Sequence, residues 1–254
     1  MSDSRKIGTR APPRILLLGT FAVMVDNAEV FLPTNAQRVL VGLCIVGRPR
    51  LPQSRAALAE RVWAASPAKR AQGNLRTALW RIRQVDRWLV SAAHDQVRLG
   101  PLVRVDVHES LAQAERLLRQ EEQLERDDER LDPLTLDLLP GWDEEWLILE
   151  RERVRQTRLH ALEALSSRLL ADGRYGLAVQ AALASIAAEP LRESAHYALI
   201  AAELGEGNYA AAHRDFRRYC ELLWDELRLT PAVGFQELLA RHSPRRGEVP
   251  LGSG

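Results

Sequence analysis

Lysine is almost missing from this chain: of 35 basic residues only Lys6 and Lys69 are lysine, and the rest are arginine. That bias reflects a GC-rich genome more than any chemistry. Cysteine is scarce as well. Cys44 and Cys220 stand far apart, each within a helical pattern, which excludes a disulfide framework and any zinc-ligand spacing. Both are expected to be buried thiols in a reducing compartment. No apolar run is long enough to cross a membrane, since the longest, such as Arg14–Val25, are short and interrupted. Met1–Pro13 is polar and lacks the apolar core of a secretory signal. The expected location is cytoplasmic, with no membrane partner.

Catalytic constellations are missing too. His94, His108, His160, His196, His213 and His242 are scattered, and none forms H-E-x-x-H or pairs with cysteine at ligand spacing. There is no Gly-rich phosphate loop and no G-x-S-x-G. His213 and Asp215 sit two apart on a helical stretch and face different ways. Asp127-Asp128-Glu129 and Asp143-Glu144-Glu145 read as solvated charge runs. An enzyme, a cofactor and a metal site are therefore not expected.

What the chain has is an uneven distribution of charge. The net charge of +1 conceals a basic front and an acidic back. From Arg14 to Asp106 there are 14 Arg/Lys against 6 Asp/Glu; from Val107 onward there are 18 against 27. A basic domain attracts polyanions, so the division points to two domains with different partners. With 254 residues and 46% hydrophobic content, there is enough chain for two cores.

The front half alternates between periods. Arg14–Leu18 and Phe21–Val25 are β-type runs broken by Gly19, Asp26-Asn27 is a turn signal, and Val30–Leu32 reads as a third strand. Thr34–Val46 is helical and stops at Gly47 and Pro49. Ser54 can cap a second helix that runs to Trp63. Ser66-Pro67 opens a third, extending to about Arg87. Trp88–Ser91 and Gln96–Leu99 then look like strands joined by an Ala92–Asp95 turn, with Val103–Val105 as a further candidate. Strands, three helices and a hairpin are the layout of a winged helix-turn-helix.

The back half reads as helix almost throughout. Val107–Leu118 is amphipathic, Gln120–Arg130 is highly charged and reads as either a solvated helix end or a mobile connection, with the connection favoured, and Trp142–Asp172 is one long helical pattern. It also contains a repeat. Gly173-Arg174-Tyr175-Gly176-Leu177-Ala178 matches Gly207-Asn208-Tyr209-Ala210-Ala211-Ala212 at a spacing of 34 residues, and Ala164/Ala198, Leu165/Leu199 and Leu170/Leu204 pair at the same offset. That period marks tetratricopeptide units, which stack helices and bind partners. The fold class expected is mainly α with a small β part: a tail to residue 13, a winged helix-turn-helix over 14–106, a tetratricopeptide-like all-α domain over 107–243, and a tail from 244.

The third helix carries the functional signal. At 100° per residue, Ala71, Leu75, Ala78, Leu79, Ile82 and Val85 form a core face. Opposite lie Arg70, Gly73, Thr77, Trp80 and Gln84, flanked by Lys69, Arg76 and Arg81. No acidic residue occurs between Pro67 and Val85. A solvated helix mixes signs to gain i,i+4 pairs, whereas these like charges repel unless a polyanion offsets them. The partner indicated is double-stranded DNA. Arg76 and Arg81 are suited to gripping guanine edges and Thr77 to touching a thymine methyl. Gly73 permits close backbone approach, and Asn74 stands at the border of the core, either reading adenine or sitting at a helix seam. Lys69 and Arg70 suit phosphates, which position rather than specify. Trp80 has packing on deoxyribose, on the wing or on a second protomer as open alternatives. Arg38, Arg48, Arg50 and Arg55 cluster around the first two helices as backbone candidates. His94, Gln96 and Arg98 at the hairpin tip are candidates for the adjacent minor groove. The competing reading, a tetratricopeptide scaffold without DNA binding, explains the back half but leaves the basic module unexplained.

These residues resemble a known family. Arg14-Ile15-Leu16-Leu17-Leu18-Gly19, Gln37-Arg38 and Leu75-Arg76-Thr77-Ala78-Leu79-Trp80-Arg81-Ile82-Arg83 look like the OmpR-like winged helix of the actinobacterial antibiotic regulatory proteins (SARP type). Leu139-Pro140-Gly141-Trp142-Asp143-Glu144-Glu145-Trp146, with Glu150-Arg151-Glu152-Arg153 and Arg158-Leu159-His160-Ala161-Leu162, resembles the bacterial transcriptional activator domain that follows it. The resemblance covers about Arg14 to His242. It implies an activator that binds tandem repeats near promoters as a head-to-tail homodimer and recruits RNA polymerase. The chain stops soon after the helical domain, so no sensor or ATPase module is expected, and without a receiver domain no phosphoacceptor is expected. Trp80 stands where many relatives carry a small polar residue, so the operator need not match theirs.

Overall fold

The computed structural model describes residues 11–45, 51–119 and 129–242. Arg48, Arg50, most of the charged stretch at 120–130, residues 1–10 and the C-terminal tail lie outside the described residues; Pro13, expected in the tail, is instead buried and accepts from Arg104 N at 2.9 Å. The chain divides into two compact units, Met1–Gln113 with Leu136–Thr157, and Ala114–Thr135 with Arg158–Gly254. The first unit thus takes in a segment from well beyond the Asp106/Val107 boundary read from composition.

The first unit is built on two small sheets and three helices. Strand β1 (Arg14–Leu16) pairs antiparallel with β2 (Ala22–Val25), placing Ile15 opposite Val23. The two-residue turn Asp26-Asn27 takes φ of +51° and +64°, the twist that tight hairpins need. It closes the ladder at once, so β3 is Ala28–Glu29 and not Val30–Leu32. Val30 still donates to the Val23 carbonyl at 2.9 Å, and Leu32 turns into the core. Helices α1 (Thr34–Ile45), α2 (Arg55–Val62) and α3 (Ala68–Val85) pack on one another.

Two helix starts differ from expectation. Ser54 is extended in the two-residue strand β4 (Gln53–Ser54) and does not cap α2 with its side chain; its hydroxyl lies 3.5 Å from Asp95 Oδ2. Pro67, at φ −55° and ψ 141°, occupies the cap of α3, which puts Ser66 outside the helix. Strand β4 joins β5 (Val90–Ala93) and β6 (Gln96–Leu99) in a three-stranded wing, ordered β4-β6-β5. Strand β7 (Arg104–Val105) runs parallel to β1 and completes the four-stranded sheet β3-β2-β1-β7. Asp106, the first residue of α4 (Asp106–Leu118), accepts from Leu17 N at 2.9 Å, Leu18 N at 3.0 Å and Val107 N at 2.7 Å. Burial pushes its carboxyl pKa up, and these three amides oppose the shift.

Leu136–Thr157 completes this unit. Leu18 bridges to Leu138, Gly19 N donates to Asp137 O at 2.7 Å, and Leu139 N donates to Leu17 O at 2.9 Å. Gly19, at φ +79°, makes the turn that permits this. Leu138, Leu139, Leu147 and Val154 enter the same core as Ile15, Leu40, Leu58 and Ile82. The residues from Leu139 (φ +45°) to Glu144 form a turn, so the long helix α6 begins at Glu145 instead of Trp142. Arg151 on α6 fastens that turn, donating from Nε to Leu138 O at 3.0 Å and from Nη2 to the carbonyls of Leu139 and Trp142. Glu144 is not the solvated charge expected: it accepts from Trp146 Nε1 at 3.0 Å and pairs with Arg38 at 2.7 Å.

The second unit's regular elements among its described residues are all helices. After α5 (Asp132–Thr135), the distal part of α6 (Glu145–Ala171), α7 (Tyr175–Ala188), α8 (Glu193–Gly205), α9 (Tyr209–Leu227) and α10 (Gly234–His242) follow in order. The repeat is a geometric one. Gly173 N bonds Leu170 O and Arg174 N bonds Leu169 O, while Gly207 N bonds Leu204 O and Asn208 N bonds Glu203 O. Both glycines have positive φ, +71° and +83°, so the same glycine helix stop occurs twice, 34 residues apart in sequence. Tyr175 fills the gap between helices and lies so close to Gly205 that a Cβ there would stand 3.0 Å from its ring. Arg158, fully buried, donates from Nε to Leu134 O at 3.0 Å. Glu129, expected to be solvated, pairs with Arg174. Cys44 is buried as expected, but Cys220 is only half-buried.

Two predictions follow from these contacts. Arg151→Ala removes its bonds to three carbonyls, of which Leu139 O keeps the amide of Trp142 at 3.1 Å, and is expected to destabilise the first unit by about 1–3 kcal/mol in thermal unfolding. Arg151→Lys should not restore it, because its three donors sit on one nitrogen, whereas Arg151 reaches these acceptors from both Nε and Nη2. In the second unit, burial and then the neighbouring Asp215 push Glu203 up to about 8 from its ordinary 4.5. A raised carboxyl pKa gives stability that is full below 4.5 and is lost as pH rises through about 8. Glu203→Gln should therefore flatten the loss of stability between those values and leave the protein more stable than wild type at pH 9; an unchanged pH profile would contradict this.

Candidate nucleic-acid interface

Helix α3 separates its two faces as its sequence requires. Ala71, Leu75, Ala78, Leu79 and Ile82 are buried, and Val85 is half-buried at the end. Lys69, Arg70, Arg76, Thr77, Trp80, Arg81 and Gln84 are exposed, and Gly73 and Asn74 are half-buried at the edge between the faces. Among the described residues no salt bridge reaches Lys69, Arg70, Arg76 or Arg81. The helix has no acid of its own to pair with them.

Local geometry gives several of these residues a definite chemistry. Thr77 donates its hydroxyl to Gly73 O at 3.2 Å, which leaves the methyl group to make outside contacts. A Cβ at Gly73 would meet nothing within 4 Å. No packing among the described residues accounts for a glycine in mid-helix, which costs about 0.5–1 kcal/mol relative to alanine. Arg76 lines a cavity of about 200 Å³ with Arg55, Gln72 and Asp95. The start of α2 is held to the wing there, because Arg55 N donates to Asp95 O at 2.9 Å. Gln72 and Asp95 were not among the sequence candidates. Gln72 lies beside the core face on the wheel, and Asp95 reads only as a turn residue, so spacing alone did not mark them.

The wing brings its candidates together at one end. His94, at φ +50°, occupies the turn between β5 and β6. Gln96 and Arg98 point away from the core, alternating with buried Val97 and Leu99. Arg38 is different from the rest. Its Nη2 donates to Val62 O at 2.7 Å and to Glu144 Oε2 at 2.7 Å, and its guanidinium lies 6.0 Å from the Trp63 ring centre. It braces the end of α2 from inside, which does not fit a side chain reaching out to phosphate.

Comparison with known proteins agrees with this architecture. Residues 105–241 match the family model of the bacterial transcriptional activator domain. The chain belongs to the bacterial transcriptional activator domain family. The winged helix stands ahead of the activator domain, the order that the resemblance to SARP-type regulators implies. Among solved structures it is similar to EmbR of Mycobacterium tuberculosis, determined in complex with a low-affinity phosphopeptide, with a TM-score of 0.69 and 20% identity. The match covers 91% of this chain and 65% of EmbR, so the chain spans less than two thirds of that protein's length. No curated protein matches the chain. Among the described residues of this activator-domain protein, no helix is long and apolar enough to cross a membrane.

Gly73 provides a test of the exposed face. Gly73→Ala is expected to raise thermal stability by about 0.5–1 kcal/mol while weakening duplex binding. A gain in stability with undiminished binding would mean that no ligand backbone approaches this position.

Proposed function

We propose that the chain is a sequence-specific DNA-binding transcription activator, with α3 lying in the major groove. The observation that carries this reading is the unpaired cationic face of Lys69, Arg70, Arg76 and Arg81 on a helix without a single acid. Like charges so close repel, and a phosphate backbone relieves that repulsion. Lys69 and Arg70 near the helix start hold phosphates, as does Arg76, which shares its cavity with Arg55. Arg81, with Thr77, Gln84 and Asn74, is positioned by its place on the helix to meet base edges. His94, Gln96 and Arg98 on the wing reach the adjacent minor groove.

Family membership supports the activator role. On this reading two copies bind direct repeats near a promoter as a homodimer, in the cytoplasm, and the helical unit contacts RNA polymerase. The chain acts by binding and performs no chemistry of its own. A tetratricopeptide-type scaffold that never touches DNA is the alternative, and it leaves the cationic face of α3 without a purpose.

The test is a salt titration of duplex binding. Neutralising about 4–6 phosphates per protomer predicts a log–log slope of about −3.6 to −5.4. Arg81→Ala should weaken binding to the preferred duplex by roughly 1–3 kcal/mol and leave random duplex almost unaffected, whereas Arg76→Ala should weaken both alike. Binding that does not change with salt would contradict the proposal.

A further inference from the structure

Trp80 is the residue on α3 whose chemistry DNA binding alone does not explain. It is 52% exposed, on a helix whose other exposed residues are polar or charged apart from Ala68 at its first position. It does not stand free. The Arg81 guanidinium carbon lies 4.9 Å from its ring centre. Adjacent residues on a helix diverge by about 100° and do not face each other. The contact therefore requires both side chains to lean together over the exposed surface.

Stacking changes what Arg81 can do. A free arginine loses much of its rotamer freedom when it binds a base, and holding it in place beforehand reduces that loss. A guanidinium whose carbon lies 4.9 Å from the ring centre is in cation–π range and is held there from one side. Its edge keeps the N–H groups that grip the O6 and N7 of guanine in one plane. No acidic side chain among the described residues pairs with Arg81, so nothing competes for that edge.

Resting on the DNA-binding reading above, we infer that Trp80 is a positioning residue: it holds Arg81 over its ring and so fixes the specificity for one guanine in the site. Trp80 then reads no base itself. Its effect on recognition passes through Arg81, and it gives this chain a preference that a small polar residue at the same place would not produce.

The experiment uses the full chain and a library of randomised duplexes. Wild type, Trp80→Ala, Trp80→Phe, Arg81→Ala and the double variant are each carried through selection, and their affinities for the wild-type consensus duplex are measured. Trp88→Ala is the control, because Arg87 lies over the Trp88 ring at 5.0 Å outside α3. Trp80→Ala and Arg81→Ala are expected to lose preference at the same guanine, with Trp80→Ala binding the consensus roughly two- to fivefold more weakly, the range of an exposed cation–π pair. Trp80→Phe should retain most of the preference, the double variant should resemble Arg81→Ala, and Trp88→Ala should resemble wild type. The inference is overturned if the losses from Trp80→Ala and Arg81→Ala add, if Trp80→Ala keeps the guanine, or if it weakens random and consensus duplexes equally. If wild type selects no duplex, the DNA-binding reading fails with it; if wild type selects a consensus that Trp80→Ala shares, only the role of Trp80 fails.

Discussion

Two arginines on α6 organise the segment that precedes that helix. Arg151 donates to the carbonyls of Leu138, Leu139 and Trp142, and Arg158 donates to those of Leu134 and Thr135. Apart from the single turn of α5 and the bridge from Leu138 to Leu18, this segment has no regular structure to satisfy its backbone. Buried carbonyls left without donors are costly, and a guanidinium can serve several at once. With Arg151 in place, Leu138, Leu139 and Leu147 stay in the first unit's core, and Glu144 stays beside Arg38. Arg38 in turn holds the carbonyl of Val62, where α2 ends and the turn toward α3 begins. The setting of α3 thus depends on residues that lie beyond the winged-helix segment in sequence.

The chain uses arginine in two opposite ways. Arg38, Arg151 and Arg158 are turned inward onto carbonyls and a carboxylate. Arg70, Arg76 and Arg81 on α3 are exposed and paired with no acid among the described residues. The inward group stabilises the fold at any salt concentration, because buried pairs are poorly screened. The outward group raises the energy of the free protein slightly and is relieved by a polyanion. Composition counts both groups alike, and only their neighbours distinguish them.

Much of this was legible in the sequence, for physical reasons that differ by element. The core face of α3 follows from a clean helical period, and Ala71, Leu75, Ala78, Leu79 and Ile82 are all buried. The glycine–tyrosine repeat follows from a backbone need, since Gly173 and Gly207 sit where only positive φ closes the helix stop. Long-range partners were not legible. Nothing at Arg38 distinguishes a phosphate contact from a brace, because its partner Glu144 lies far along the chain. Glu144 itself looked like one member of a solvated acidic run. The helix starts at Ser54 and Ser66 were misread because a hydroxyl before a helical pattern suits a cap, while a short strand or a proline can claim the same position. The contact of Arg81 with the Trp80 ring is not legible either, because neighbours one apart on a helix diverge.

The most direct measurement of the central claim is selection of genomic DNA fragments by the purified full chain, followed by sequencing of what is retained. The account predicts a small set of enriched fragments that share a short motif in tandem copies at a regular spacing, with enrichment lost when Lys69, Arg70, Arg76 and Arg81 are all changed to alanine. No enrichment over input, or enrichment that survives loss of those four cations, would contradict it.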